Sequence, residues 1–467
     1  MENIKQYPYR AFLCIFLLAV FVRILLFSAV YEHENYNLYP SFPASDGYYT
    51  MAQNLLAGRG LSEKSSPPFS LSAHRTPLYP LFISGIVYLS ESYWGVLVVQ
   101  IILGGFIPVL GWLVTKRIFV SQKLATTTAL ILAAEPFSAS LSSVLLTETL
   151  FTFLFLFAMI FFFSYLQNER YRNIILASIF LGLITLTRPT TLYLPAILIF
   201  FLLWRWGKRL SFRSGIHLTT FLVFFFLVLS PWLYRNYRLF HVPIISTTST
   251  QSLYFHLVPS AIALDNHIGL SEMESKFLSD QKFTYDDIVP KNTRKFQTSA
   301  FEILKKHPYG LMQSLLITAV TFFTHDGYLE ILNRLGFLTD LRIERPSIVA
   351  LFESPQQTTA LIQTLVRGPA AIIIVGRLIW IAITVSFFYG AFRYLRSRDR
   401  RPEGMIALIC IAFFMLTTAI IGLGVYARFR VPVNTFILAF AVYGLFYGWN
   451  DIATRLKNKK FCPQKIS

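Results

Sequence analysis

Charge is what this chain has least of. Of its 467 residues only 14% are Asp, Glu, Lys or Arg, against 54% hydrophobic, and the mean hydropathy is +0.53. Soluble domains carry about a quarter charged residues. The shortage therefore excludes a soluble globular enzyme, and the apolar excess excludes a disordered chain. Cysteine is almost missing too. Cys14 and Cys410 lie in apolar runs and Cys462 in a basic tail, so no disulfide framework or cysteine metal site is indicated. Nor does the chain contain GxxxxGK[ST], HExxH, GxSxG or CxxC, the signatures of a phosphate cradle, a zinc site, a nucleophile elbow or a redox pair. It shows no internal repeat and no low-complexity tract.

What the chain does have is long apolar runs. A spanning helix needs about 20 mainly apolar residues. Ten candidates meet or approach this: 11–31, 94–115, 124–141, 147–166, 174–188, 191–206, 216–233, 369–392, 404–425 and 431–449. Arg188-Pro189 divides the fifth from the sixth. The first run follows Lys5 and Arg10 and lacks a small-residue cleavage site, so it reads as a retained helix. The fold class expected is all-α, a polytopic transmembrane bundle. Two shorter apolar stretches, Leu78–Leu89 and Leu311–Phe323, are expected to lie in the interface or to re-enter.

The net charge of +18 has an explanation in topology. With the N-terminus inside, the cytoplasmic pieces are 1–10, 116–123, 167–173, 205–215, 393–403 and 450–467. They hold 21 of the 42 Lys and Arg residues and only five acids. That is the positive-inside pattern. It places both termini in the cytoplasm, requires an even number of spans, and makes nucleic acid an unneeded partner. Three regions follow: an N-terminal module 1–233 containing a long first outer loop 32–93, an outer segment 234–368, and C-terminal helices 369–467 ending in the basic tail.

Candidate chemistry gathers at the outer ends of the spans. Residues 45–60 read as a short amphipathic helix with Ser45 as N-cap, Asp46 in its first turn, and Tyr49, Ala52, Gln53 and Leu56 on one face. Asp46 is there either to complement the helix dipole or to act on a proton. Arg75 precedes Pro77-Leu78-Tyr79-Pro80 at head-group depth, where a guanidinium either snorkels or binds phosphate through its planar fork. Thr147-Glu148 opens the fourth span on the same side as Asp46. A carboxylate at that depth needs a partner or a wet cavity. Glu135-Pro136 is a similar case, with complement to the helix dipole the stronger reading. Cations recur as Arg188 before Pro189, Arg235-Asn236 after Pro231-Trp232, and the Arg428/Arg430 pair before Pro432, with Arg23 and Arg377 inside spans. Intramembrane cations demand an anionic partner, and a lipid-borne phosphate is one. Asp286-Asp287 reads as a solvated dipeptide.

These motifs, in this order, resemble the GT-C membrane glycosyltransferases, in particular the bacterial relatives of protein O-mannosyltransferases and aminoarabinose transferases. The matching stretches are Asp46 to Gly60, Arg75 to Pro80, Thr147-Glu148, Thr187 to Pro189, Pro231 to Asn236 and Arg428 to Pro432. Segment 234–368 matches loosely, around His307-Pro308. The resemblance implies a polyprenyl-phosphate-linked sugar as donor. It implies Asp46 as catalytic base, with Glu148 as the supporting acid. Arg75 would bind the donor phosphate, aided by Arg188, Arg428 and Arg430, while Tyr49, Tyr79, Arg235 and Asn236 would support the site. No cofactor is certain from these residues, and a divalent cation is left open, with no ligands named. The acceptor would be a non-cytoplasmic lipid, glycan or protein, which fits cell-envelope work such as protein or lipopolysaccharide glycosylation at a bacterial inner membrane. The alternatives are a transporter or flippase for a lipid-linked or anionic solute, and a glycan polymerase or ligase. Transporters favour repeated halves and broken mid-membrane helices; here the polar residues gather at one face.

Overall fold

A computed structural model describes residues 9–33, 46–281, 283–337, 371–398 and 400–460. All regular structure among them is helical. In lipid a backbone must satisfy its own polar groups, and a helix does so within one segment.

The first half of the bundle is α1 (Tyr9–His33), α4 (Tyr93–Phe119), α5 (Gln122–Ala134) with α6 (Pro136–Ser140), α7 (Glu148–Asn168), α8 (Tyr171–Thr187), α9 (Leu194–Trp206) and α10 (Phe212–Phe240). Between α1 and α4 lie two short helices, α2 (Tyr48–Leu56) and α3 (Leu78–Ser90). With 13 residues, α3 is too short to cross. The α5–α6 break bends the chain by 54°. Pro136 has no N–H to give, and the Glu135 carboxylate takes up the next two donors, Phe137 N at 3.0 Å and Ser138 N at 2.8 Å. Glu135 is thus a cap. α7 is apolar on every side and sits at the centre, packed on α4 and α8, as an all-round hydrophobic helix must.

Beyond α10 the chain builds a small unit from α11 (Thr248–Ser252), α12 (Val258–Asn266), α13 (Leu270–Gln281) and α14 (Thr293–Lys306). It has its own core of Tyr254, Phe255, Phe277, Phe296 and Leu304. From it α15 (Pro308–Thr324) runs into the bundle, where Thr384 Oγ1 donates to the Phe323 carbonyl (2.8 Å), and bends by 67° into α16 (Tyr328–Arg334). The stretch 311–323 expected to lie flat or re-enter is part of this bent pair. The chain then completes the bundle with α17 (Ala371–Arg396), α18 (Pro402–Thr418) and α19 (Asn434–Lys460). α17 and α19 touch backbone to backbone: Gly390 lies against the Phe440 carbonyl and Gly444 against the Ser386 carbonyl. Small residues permit such crossings in membranes.

Among the described residues eight helices are long and apolar enough to cross a membrane, or up to ten if each bent pair is one span. The protein is integral to a membrane. At one end of the bundle the basic loops meet: Arg401 Nη1 donates to the Arg117 carbonyl (3.0 Å), and Gln167 Nε2 to Glu403 Oε1 (2.7 Å). The opposite end carries the site.

Candidate active site

Glu148 is the first residue of α7 and is wholly buried. Its charge sits at a helix N-terminus, where the dipole favours an anion, but burial at that depth demands more. Two arginines supply it. Arg188 leaves α8 in extended conformation ahead of Pro189, and its Nη2 donates to Glu148 Oε1 at 2.6 Å. Arg428, on the 3₁₀ turn Ala427–Phe429 between α18 and α19, donates through Nε to the same oxygen. The second oxygen, Oε2, has no protein partner, and Glu148 borders a pocket of about 10 Å³ together with Thr152 and Thr435.

Arg428 also reaches the other way. Its Nη2 donates to Asp46 Oδ2, and its Nη1 lies 3.3 Å from the Tyr426 hydroxyl. One guanidinium therefore joins two carboxylates contributed by the first loop and by α7. Such charge-assisted bonds are the strong ones. Asp46 itself is held by its backbone. It and Gly47 both adopt left-handed conformations (φ 53° and 81°), which Asp tolerates and Gly prefers. This corrects the expectation of a helix beginning at Ser45: α2 starts at Tyr48, with Gly47 at its N-cap, and Ser45 lies outside the described residues. The helix is consequently rotated. Its buried face is Tyr48, Met51, Ala52 and Asn54, while Gln53 and Leu56 are exposed.

A cavity of about 330 Å³ opens beside this cluster, lined by Asp46, Tyr48, Arg75, Arg188, His256, Thr417, Tyr426 and Arg428. Arg75 stands over the Tyr48 ring (5.5 Å to its centroid), and its Nε has no protein partner. The side chain of Asp46 is 29% exposed. Burial pushes its carboxyl up, but the charges of Arg428, Arg75 and Arg188 together with the Arg428 hydrogen bond outweigh burial and hold it below the usual carboxylate value. Three guanidiniums against two carboxylates leave the cavity with a net positive charge, suited to one further anion. Among the described residues no three His, Cys, Asp or Glu side chains converge on a metal position, and the place between Asp46 and Glu148 is taken by Arg428.

The sequence-predicted residues divide accordingly. Asp46, Glu148, Arg75, Arg188 and Arg428 come together. Arg430 does not. It is 1% exposed and fully engaged, with Nη1 on the Phe322 and Phe323 carbonyls, Nη2 on the His325 carbonyl (2.8 Å each) and Nε on Asn434 Oδ1 (3.0 Å). It stacks on Trp380 and pins the α15 end to the bundle. Two residues apart on a tight turn, Arg428 and Arg430 point to different neighbours. Tyr79 is one layer back, edge-on to Tyr48 (5.0 Å) and donating to Gln100 Oε1 (2.6 Å). Tyr49 packs on Tyr93. Arg235 Nη1 donates to the Ser72 carbonyl (2.8 Å) and Asn236 Nδ2 to the Ile244 carbonyl (2.7 Å), so both brace loops near the cavity. Arg23 donates to Ser142 Oγ (3.2 Å) and the Ala19 carbonyl (2.9 Å), and Arg377 to Asp326 (2.9 Å). Tyr426, His256 and Thr417 were not anticipated as lining. Only Tyr426, two residues before Arg428, carried a signal for it.

Residues 74–234, about a third of the chain, match the family model of dolichyl-phosphate-mannose-protein mannosyltransferases, and this segment holds Arg75, Glu148 and Arg188. No curated protein matches the sequence. Among solved structures the chain is similar to the archaeal oligosaccharyltransferase AglB from Archaeoglobus fulgidus, in complex with an inhibitory peptide and a dolichol-phosphate. The TM-score is 0.50 at 14% identity, over 98% of this chain and 52% of that one. The chain thus spans about half the length of that structure, and the likeness is one of fold. Residues 74–234 are thus similar to the dolichyl-phosphate-mannose-protein mannosyltransferases, and the fold resembles that of AglB.

Proposed function

We propose that the protein transfers a hexosyl or pentosyl group from a polyprenyl-phosphate donor to an acceptor on the non-cytoplasmic side of a bacterial inner membrane. The observation that carries this is the Arg428 guanidinium bridging Asp46 and Glu148 at the mouth of a cation-rich cavity. Asp46 takes the acceptor hydroxyl proton as the oxygen attacks the anomeric carbon. The new C–O bond forms while the bond from that carbon to the phosphate oxygen breaks, with inversion. Polyprenyl phosphate leaves with the electron pair. Negative charge grows on the leaving oxygens, where Arg75, Arg188 and Arg428 stabilise it, a contribution that often exceeds that of the base. Glu148 holds two of these cations in place. A site at one end of the bundle lets the prenyl tail stay in lipid. The dolichol-phosphate named in the AglB complex supports a donor of this class.

The test is the full chain in nanodiscs with radiolabelled polyprenyl-phosphate sugars and a membrane extract as acceptor source. Loss of donor with release of unlabelled polyprenyl phosphate supports transfer. Movement of intact donor between leaflets with no consumption sinks it in favour of a flippase.

A further inference from the structure

The donor cavity has a neighbour. A second cavity of about 340 Å³ lies between residues 63–74 of the first loop and the turn at 285–290. The two share one thin wall. Thr247 N donates to the Ala73 carbonyl (3.1 Å) and Thr248 Oγ1 to the His74 carbonyl (2.7 Å), stitching the two segments side by side. Along that wall Arg75, Thr76 and Thr248 line the donor cavity, while His74 and Thr247 line the second. Glu63 brings the second cavity up to the base. Its Oε2 lies 4.0 Å from the place of a Cβ on Gly47, the residue after Asp46.

The lining chemistry points to one kind of ligand. Glu63 accepts from Ser72 Oγ (2.8 Å) and pairs with His74 Nδ1 (2.9 Å), and a carboxylate keeps further lone pairs beyond these. Thr247 is 1% exposed and its hydroxyl has no protein partner, a costly state for a buried polar group. Tyr285 and Phe240 add two aromatic rings. Directional polar groups beside aromatic faces suit a pyranose, whose hydroxyls ring an apolar C–H face. An extended peptide gains most from an unpaired strand edge, and no strand occurs among the described residues. An acyl chain would have to lie against the Lys64–Asp286 ion pair in the cavity wall, which its chemistry cannot solvate.

We propose that this second cavity is the acceptor subsite and that it takes a hydroxyl-rich saccharide, held by Thr247 and Tyr285 and steered towards Asp46 by Glu63. The proposal rests on the transferase reading and adds to it the class of acceptor. It is tested by saturation-transfer NMR on the full chain in nanodiscs, with mannobiose, chitobiose, lactose and a Ser/Thr-containing hexapeptide as probes. At least one disaccharide binds, and Thr247→Val or Tyr285→Ala weakens it about fivefold, the loss expected for one hydrogen bond or ring contact. Tyr285→Phe retains binding, and melting in detergent shows that the variants fold. No disaccharide binding, binding indifferent to both variants, or binding of the peptide alone overturns the subsite. Donor turnover without disaccharide binding sinks the subsite and spares the transferase; disaccharide binding without donor turnover sinks the transferase and with it the acceptor role, leaving a saccharide site only.

Discussion

Replacing Asp46 by Asn separates chemistry from binding. The amide keeps nearly the same shape and retains an oxygen for Arg428 Nη2, so the fold and the Glu148–Arg188 pair persist. What goes is a base and one negative charge. The loss of general-base help lowers kcat by about 10²–10⁴-fold, or roughly 3–5 kcal/mol of barrier. The loss of charge acts in the opposite direction on the ground state. With three guanidiniums facing one carboxylate instead of two, the cavity becomes more positive, so a polyprenyl phosphate binds more tightly to the variant. The assay is donor turnover in nanodiscs alongside calorimetric titration with farnesyl phosphate. Slow turnover with tighter phosphate binding is the expected pair. Unchanged turnover removes Asp46 from the mechanism, and weaker phosphate binding removes the cluster from the donor site.

Arg428→Gln takes away the strongest cation beside Asp46, so its carboxyl rises. Because the base works deprotonated, the acid limb of a kcat/KM profile then sets in at higher pH than in the unmodified protein; an unmoved limb contradicts the assignment. The same pairing gives Asp46 a share of stability that is full above its unfolded value of 3.8 and fades as pH falls through its lower folded value. The variant has lost most of that share, which thermal melts across acid pH will register. Arg430→Met strips charged donors from three carbonyls and Asn434. It costs on the order of 3 kcal/mol of stability and leaves farnesyl phosphate affinity of the folded fraction intact; a selective loss of affinity would return Arg430 to the site.

The sequence made some of this legible and hid the rest for identifiable reasons. Arg188-Pro189 announces a break because proline cannot donate, and the break is there; the similar break at Glu135-Pro136 falls inside what reads as one span, 124–141. Glu148 and Arg188 stood out as charges at span ends, and such charges must find each other. The start of α2 is misplaced by reading Ser45 as its cap, although the Asp46-Gly47 dipeptide carries a turn signal and both residues are left-handed. The two-residue spacing of Arg428 and Arg430 suggested a shared target; a 3₁₀ turn sends them apart. The unit of α11–α14 closes on aromatic contacts between residues tens of positions apart, such as Tyr254 with Phe296 (5.0 Å), which no local periodicity foretells.

The bridge between the two acids joins positions 382 and 280 residues apart. A ribosome feeding this chain into a bilayer therefore delivers Asp46, Arg75, Glu148 and Arg188 well before the guanidinium that unites them. Until the segment carrying Arg428 inserts and docks, the buried Glu148 is served by Arg188 alone and Asp46 lacks its hydrogen-bond partner. Completion of the bridge thus waits on the insertion of the helices that flank Arg428.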